Sequence, residues 1–254
     1  MPDQLVLSMN RDDVATITLD SPANRNALSA ALVEQLRAAL TTARDTDSVR
    51  AVVLTHTGSA FCAGADLAEM TGTTSTRDNT SRLLDLLRAI VELPKPLIAR
   101  LTGPARAGGV GIVGACDIAL AAPSVTFAFS EVRLGLAPAV ISLTTLSRLD
   151  ERAAAHYCLT GDVFDAAEAA RIGLLTAAPD DVDVALANVL DSLRSCSPQG
   201  LAATKALLTA PMRNAIADRG DELTQLSAQL FASEDAKEGM TAFLERRRPR
   251  WSAR

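Results

Sequence analysis

The chain has 254 residues, 48% hydrophobic and only 3% aromatic, with a formal net charge of −5. This describes a globular protein with an aliphatic core, long enough for one large domain or a domain with an appendage, and it argues against nucleic acid or an anionic membrane as the main partner. Cys62, Cys116, Cys158 and Cys196 are widely spaced without a C-x-x-C pair, and His56 and His156 are the only histidines. Reduced thiols are therefore expected, and a disulfide framework or metal centre is not. No apolar run reaches the roughly 20 residues of a membrane span, and no leader-like segment precedes the first strand, so the expectation is a soluble, cytoplasmic protein.

In chain order, "QLVLSMNRDDVATITLDS" reads as a hairpin, two apolar runs around the polar turn Asn10 to Asp13. Ser29 is placed as the N-cap of a helix whose apolar Leu32, Val33, Leu36 and Leu40 recur at helical spacing. "RAVVLTH" is a buried-strand candidate leading into the loop "TGSAFCAGAD". After the polar stretch Thr71 to Ser81, which offers little to bury and is expected to be mobile, "RLLDLLRAIVEL" reads as a helix stopping before Pro94. "PKPLIARLTG", "CDIALAA" and "VTFAF" read as strands. From about Ser142 the pattern is nearly all helical, with Ser197-Pro198 a cap followed by a proline at the first helical position. These textures divide the chain into a β/α core over 1–195 and a helical C-terminal region over 196–254.

The segment "ARAGGVGIVGACD" contains Gly109-Val110-Gly111-Ile112-Val113-Gly114, literally G-x-G-x-x-G. A dinucleotide site would need an acidic residue at the tip of the next strand. "CDIALAA" instead ends at Ala122-Pro123, and a further strand intervenes before Glu131. Close packing of a helix on the sheet is the plain alternative. A third reading draws on the other Gly/Ala loop, "AFCAGADL". Both loops follow an apolar strand and look like helix openings, where free N–H groups and the helix dipole favour negative charge. Two such loops facing one point make an oxyanion hole.

"NRNALS", "AFCAGADLAEM", "LTGPARAGGVGIVGACDIALAA" and "FSEVRLGLAPA", followed by "LTGDVFDAAEAARIGLL", resemble in order the successive signatures of the crotonase superfamily, typified by enoyl-CoA hydratase. The resemblance implies an α/β fold, a spiral of ββα units with a helical C-terminal trimerisation region. It also implies a homotrimer or hexamer acting on an acyl-CoA thioester, with no metal, no redox cofactor, and no nucleic-acid or membrane partner. Carried over, the oxyanion amides belong to Ala63 and Gly108, with Ala65, Asp66, Gly109 and Gly111 lining the substrate. The second of the family's two catalytic glutamates is matched by Glu131, and the first by Gly111. Glu131 also stands out on chemistry alone, because a carboxylate between "VTFAF" and "LGLAPAV" is desolvated and its pKa raised.

The implied reaction is hydration of a 2-enoyl-CoA by a single glutamate. The alternatives are 3,2-enoyl-CoA isomerisation, which needs only one carboxylate, and a non-catalytic acyl-CoA-binding protein. The closest resemblance is to bacterial methylglutaconyl-CoA hydratase-like members of leucine breakdown. For such a substrate, Arg106 and Arg133 are candidates to meet a second carboxylate, or else are surface charges. In "FLERRRPRW", Phe243 and Arg246 match residues that reach the adenine and phosphates of a CoA bound to a neighbouring subunit; the plain reading of this run is a solvated helix end. Of the other polar residues, Asp66 reads as a helix-start residue, Asp117 as a turn anchor, and His156 as packed. Cys62 has no paired histidine and is not read as a nucleophile.

Overall fold

The computed structural model describes residues 3–66, 69 and 76–252. Strands β1 (Val6–Arg11) and β2 (Val14–Leu19) form the expected antiparallel hairpin. Its turn is tighter than expected: Asp12 adopts φ 55°, which a short polar residue accepts in a two-residue connection. Helix α1 (Ala30–Asp45) starts at Ser29, whose hydroxyl accepts the Leu32 N–H, and it buries Leu32, Val33, Leu36 and Leu40. Strands β3 (Ala51–His56), β4 (Leu97–Leu101) and β6 (Ile118–Ala121) then pair in parallel, completing a sheet of order β1-β2-β3-β4-β6. Their near-continuous apolar sequences suit strands covered on both faces.

Helix α2 (Thr76–Glu92) lies between β3 and β4 in sequence. It begins at Thr76 rather than at Arg82, because Asp78 sits favourably in its first turn and Asn79 accepts from the Arg82 guanidinium at 2.9 Å. The stretch from Thr71 expected to be mobile falls outside the described residues up to 75, and from Thr76 it is helical.

A second, smaller sheet explains how the chain spirals. After β4 the chain bends and adds β5 (Ala105–Arg106); after β6 it bends and adds β7 (Thr126–Ala128), parallel to β5. The segment after β3 makes the same turn, and Cys62 bridges Ala105 in parallel. Each repeat therefore contributes one strand to the first sheet and a short one to the second. β8 (Phe164–Asp165) closes the small sheet antiparallel to β7. Helix α3 (Gly108–Ala115) follows β5, and a 3-10 turn, Ser130–Leu134, follows β7. Helices α4 (Ser142–Thr145), α5 (Glu151–Thr160), α6 (Ala166–Arg171) and α7 (Val182–Arg194) come next.

Beyond residue 196, α8 (Pro198–Leu208), α9 (Ala210–Phe231) and α10 (Glu234–Leu244) pack back on this body. Ser197 caps α8 through the Gly200 N–H at 3.0 Å. From α8, the buried Lys205 ammonium reaches Asp117 at 2.7 Å and donates to Ile90 O and Lys95 O at 3.0 and 3.1 Å. Asp117 also accepts the Leu97 N–H at 2.8 Å, so it anchors its turn as expected and secures α8 as well. Helix α9 lies along α2, with Gly220 close to Leu84. Helix α10 lies on the 130–134 turn, its Gly239 against the Leu134 backbone. Among the described residues no helix is long and apolar enough to cross a membrane.

Candidate active site

Three parallel segments leave the same end of the small sheet side by side. The Cys62–Ala105 bridge and the Arg106 N–H to Cys62 O bond (3.0 Å) set residues 62–65 beside 105–108. The β5–β7 register and the Ala107 N–H to Ala128 O bond (3.1 Å) set 105–108 beside 127–130. The topology thus gathers Ala63, Ala65, Asp66, Gly108, Gly109 and Glu131 from stretches far apart in sequence.

The second of these segments opens α3 without a side-chain cap. Ala107 stands at φ 47°, ψ −118°, a backbone state costing an ordinary residue about 1–3 kcal/mol, and such strain clusters at functional sites. Among the described residues nothing accepts the Gly108 or Gly109 N–H, although both residues are buried. Gly109 has no room for a side chain, since a Cβ there would stand 2.7 Å from the Cys62 Cβ and 3.0 Å from its O; one on Gly108 would stand 2.7 Å from the tip of the Leu28 side chain.

In the first loop the structure differs from the assignment of Ala63 as donor. The Ala63 N–H is engaged by Arg25 O at 3.1 Å. The next residue, Gly64, has φ 96°, which turns the chain so that the following amide faces another way. The Ala65 N–H has no acceptor among the described residues, and extending the 62–105 register places Ala65 opposite Gly108. Asp66 accepts from the Asn24 carboxamide at 3.2 Å, and Glu69 accepts the Ala30 N–H at 2.8 Å. Both acids tie this loop to "NRNALS". Whether Asp66 opens a helix lies outside the described residues.

Glu131 stands in the turn after β7. It is buried, and its Oε2 has no hydrogen-bond partner among the described residues. Burial pushes its pKa up to about 7, and a bond from its own backbone N–H opposes this less strongly. A buried carboxyl with one oxygen free of partners, titrating near neutrality, can both take and give a proton. Cys158 lies close enough for the Glu131 charge, after burial, to help raise its thiol pKa to about 11.

At Gly111 the structure supplies what the sequence did not signal. A Cβ there would fall 2.5 Å from the Ile141 Cγ2 and 2.8 Å from its Cβ. The space a side chain at 111 would enter is therefore filled by Ile141, and Thr144 of α4 donates its hydroxyl to Gly111 O at 2.9 Å. Glu131 is the buried carboxylate of this cluster, and at position 111 aliphatic carbon of Ile141 stands where a side chain would start.

The remaining candidates lie apart from these hydrogen bonds. Phe243 is 55% exposed at the end of α10, and Arg246, just beyond, is exposed at φ 55°. In the same run Arg247 is held by Glu238 and Glu245, and Arg250 pairs with Asp235. Arg133 is paired with Asp162 at 2.7 Å, and Arg106 donates to Thr126 O and Oγ1. His156 is exposed beside Asp162 at 3.6 Å rather than packed, because α5 turns this face outward. Cys62 is buried with its pKa raised to about 12, which keeps it a thiol.

Residues 10–254 match the family model described as enoyl-CoA hydratase/isomerase. The enoyl-CoA hydratase EchA19 of Mycobacterium tuberculosis is 34% identical over all of this chain and 97% of its own length. Among solved structures, an enoyl-CoA hydratase from Mycobacterium avium superposes with a TM-score of 0.92 at 49% identity, over 98% of this chain and 100% of that one. Another from Mycobacterium smegmatis gives 0.78 at 34% identity, over 98% and 99%. The chain belongs to the enoyl-CoA hydratase/isomerase family of enzymes and has the crotonase fold.

Proposed function

We propose that this protein hydrates a 2-enoyl-CoA thioester to the 3-hydroxyacyl-CoA, using Glu131 as its single acid–base carboxylate. The observation that carries the reading is the buried Glu131 carboxyl, its Oε2 without a partner, on the segment beside the free Gly108 amide. The thioester oxygen is held by the N–H groups of Gly108 and Ala65, the latter replacing Ala63, whose amide is engaged. These donors stabilise the negative charge that develops when a nucleophile adds at Cβ. Ionised Glu131 takes a proton from water as its oxygen bonds to Cβ, and the resulting acid returns that proton to Cα. Water is thereby added with no net proton change, and neither a metal nor a redox cofactor has a step to perform.

Oxyanion donors in water-poor surroundings and a carboxyl poised near neutrality are each of the kind that lowers an enolate barrier. Arg133 is paired with Asp162 and Arg106 donates to Thr126, so neither guanidinium is a free partner for a second substrate carboxylate, and a monocarboxylic acyl group is the simpler fit. Phe243 and Arg246 serve the adenine and phosphates of CoA on a neighbouring subunit, within a trimer or hexamer of a cytoplasmic protein. Exposure of both side chains is consistent with that role.

Ile141 favours a second reading. With aliphatic carbon beside Gly111, water has one carboxylate to hold it, whereas moving a proton from Cγ to Cα of a 3-enoyl-CoA needs only Glu131. The test supplies crotonyl-CoA, 3-methylglutaconyl-CoA and a 3-enoyl-CoA separately and follows enoyl absorbance. Hydration appears as loss of crotonyl absorbance that disappears in Glu131→Gln. A gain of absorbance from the 3-enoyl substrate alone selects isomerisation. CoA esters that bind but are not altered would leave a binding protein.

A further inference from the structure

We infer that Asn26 is the positioning residue of the thioester-oxygen site, clamping one short turn that sets both donor loops. This inference rests on the oxyanion reading proposed above. Asn26 is completely buried, and its carboxamide makes three bonds. Its Oδ1 accepts the Ser21 N–H at 2.7 Å, and its Nδ2 donates to Thr57 O at 3.1 Å and to Ala60 O at 2.8 Å. One side chain thus closes residues 21–26 on themselves and fastens them to the loop that leads into Phe61 and Cys62.

Arg25 and Asn26 both stand in the left-handed region, at φ 58° and 54°. Consecutive non-glycine residues in that state are costly and persist only where the surroundings fix them. The fixed turn aims two backbone groups at the first donor loop: Arg25 O accepts the Ala63 N–H at 3.1 Å, and the Leu28 N–H donates to Gly64 O at 2.8 Å. Those two bonds bracket Gly64 and orient the peptide that carries the Ala65 N–H. The same turn leads to Leu28, whose side chain lies against Gly108, the other donor. Asn26 touches neither donor, yet the position of each depends on the strut it locks.

This arrangement differs from simple stabilisation in what it does to kinetics. Most thioester affinity comes from the CoA portion, whereas an oxyanion donor acts where charge develops. A shift of about 1 Å in such a donor costs on the order of 100-fold in rate. Asn26→Gly keeps the left-handed backbone and deletes the three bonds. Asn26→Asp keeps the shape and the Oδ1 acceptor but turns an acceptor toward two carbonyls. Its protonated form restores one donor.

The test compares wild type, Asn26→Gly and Asn26→Asp, below their unfolding temperatures, by steady-state kinetics on the turned-over enoyl-CoA. It also measures the 13C carbonyl shift of bound [1-13C]butyryl-CoA, which reads polarisation of the thioester without turnover. The expected result is a kcat lower by about 10- to 100-fold with KM within about twofold. The bound carbonyl shift should move back toward its free value, and the rate of Asn26→Asp relative to wild type should rise as pH falls. An unchanged carbonyl shift and kcat in a variant that merely unfolds earlier would overturn the inference while leaving the oxyanion reading intact. No carbonyl shift in the wild type would remove the oxyanion reading and this inference with it.

Discussion

Replacing Glu131 by glutamine separates the functional worth of this carboxyl from its cost to the fold. In the unfolded chain the group titrates near 4.5, and in the native site near 7. Between those values the native state holds a proton that the unfolded state has lost, so native stability falls as pH rises. A rise of this size corresponds to about 3 kcal/mol. The Glu131 contribution is thus near its most favourable at pH 4, worsens through pH 5 to 7, and levels off near pH 8 at a penalty of about 3 kcal/mol. Glutamine, of nearly the same shape and never charged, escapes that penalty. Urea unfolding of both proteins at fixed concentration should give closely similar stabilities at pH 4. At pH 8 the variant should be ahead by up to about 3 kcal/mol, reduced by whatever the buried amide loses by lacking partners.

Turnover should move the opposite way. In the proposed hydration cycle Glu131 begins ionised, so wild-type kcat/KM should decline with acid below pH 7, and the variant should lose most activity at every pH while binding acyl-CoA nearly unchanged. If the stability difference between the two proteins is the same at pH 4 and pH 8, the carboxyl is not held in a desolvated native site and the argument for its poise fails.

Other consequences follow from the same contacts. Gly111→Ala drives a methyl to within 2.5 Å of Ile141, and such overpacking should cost about 1–3 kcal/mol; adding Ile141→Ala should recover part of it, a non-additivity visible in a double-mutant cycle. Lys205→Met leaves Asp117 without its buried partner, and should lower stability by about 3–5 kcal/mol and expose α8 to limited proteolysis, Asp117→Asn relieving part of the loss. Arg246→Ala and Phe243→Ala should leave urea stability within about 0.5 kcal/mol, as exposed positions do. They should raise KM for a CoA thioester but not for the corresponding pantetheine thioester, which lacks the nucleotide. Equal KM effects on both thioesters would detach these residues from nucleotide binding.

What the sequence discloses, and what it withholds, follows from the range over which each signal acts. The Ser29 and Ser197 caps, the strands β3, β4 and β6 and the hairpin are written in adjacent residues, and they are legible. Glu131 is legible too, because its flanking runs "VTFAF" and "LGLAPAV" already foretell desolvation. The start of α2 escapes apolar spacing because its first turn is polar, its stability resting on Asp78 and on the Asn79–Arg82 contact. The donor in the first loop falls to Ala63 on sequence alone because nothing local says which of several small residues has a free amide. Arg25, 38 positions earlier, decides that by engaging the Ala63 N–H. The same holds for Gly111: the sequence shows a glycine where the family pattern has an acid, but only the approach of Ile141 shows that the space is filled.

These hidden determinants share one physical form. For Ala63 and Gly111 alike, it is a close contact made by a segment distant in sequence, Arg25 in one case and Ile141 in the other. An active site that uses amides as donors hides half its chemistry from residue identity, because every residue except proline carries an N–H. Which of them is free is a property of the packing, so in this protein the proposed acid–base carboxyl is written in the sequence, and the proposed oxyanion site is written in the fold.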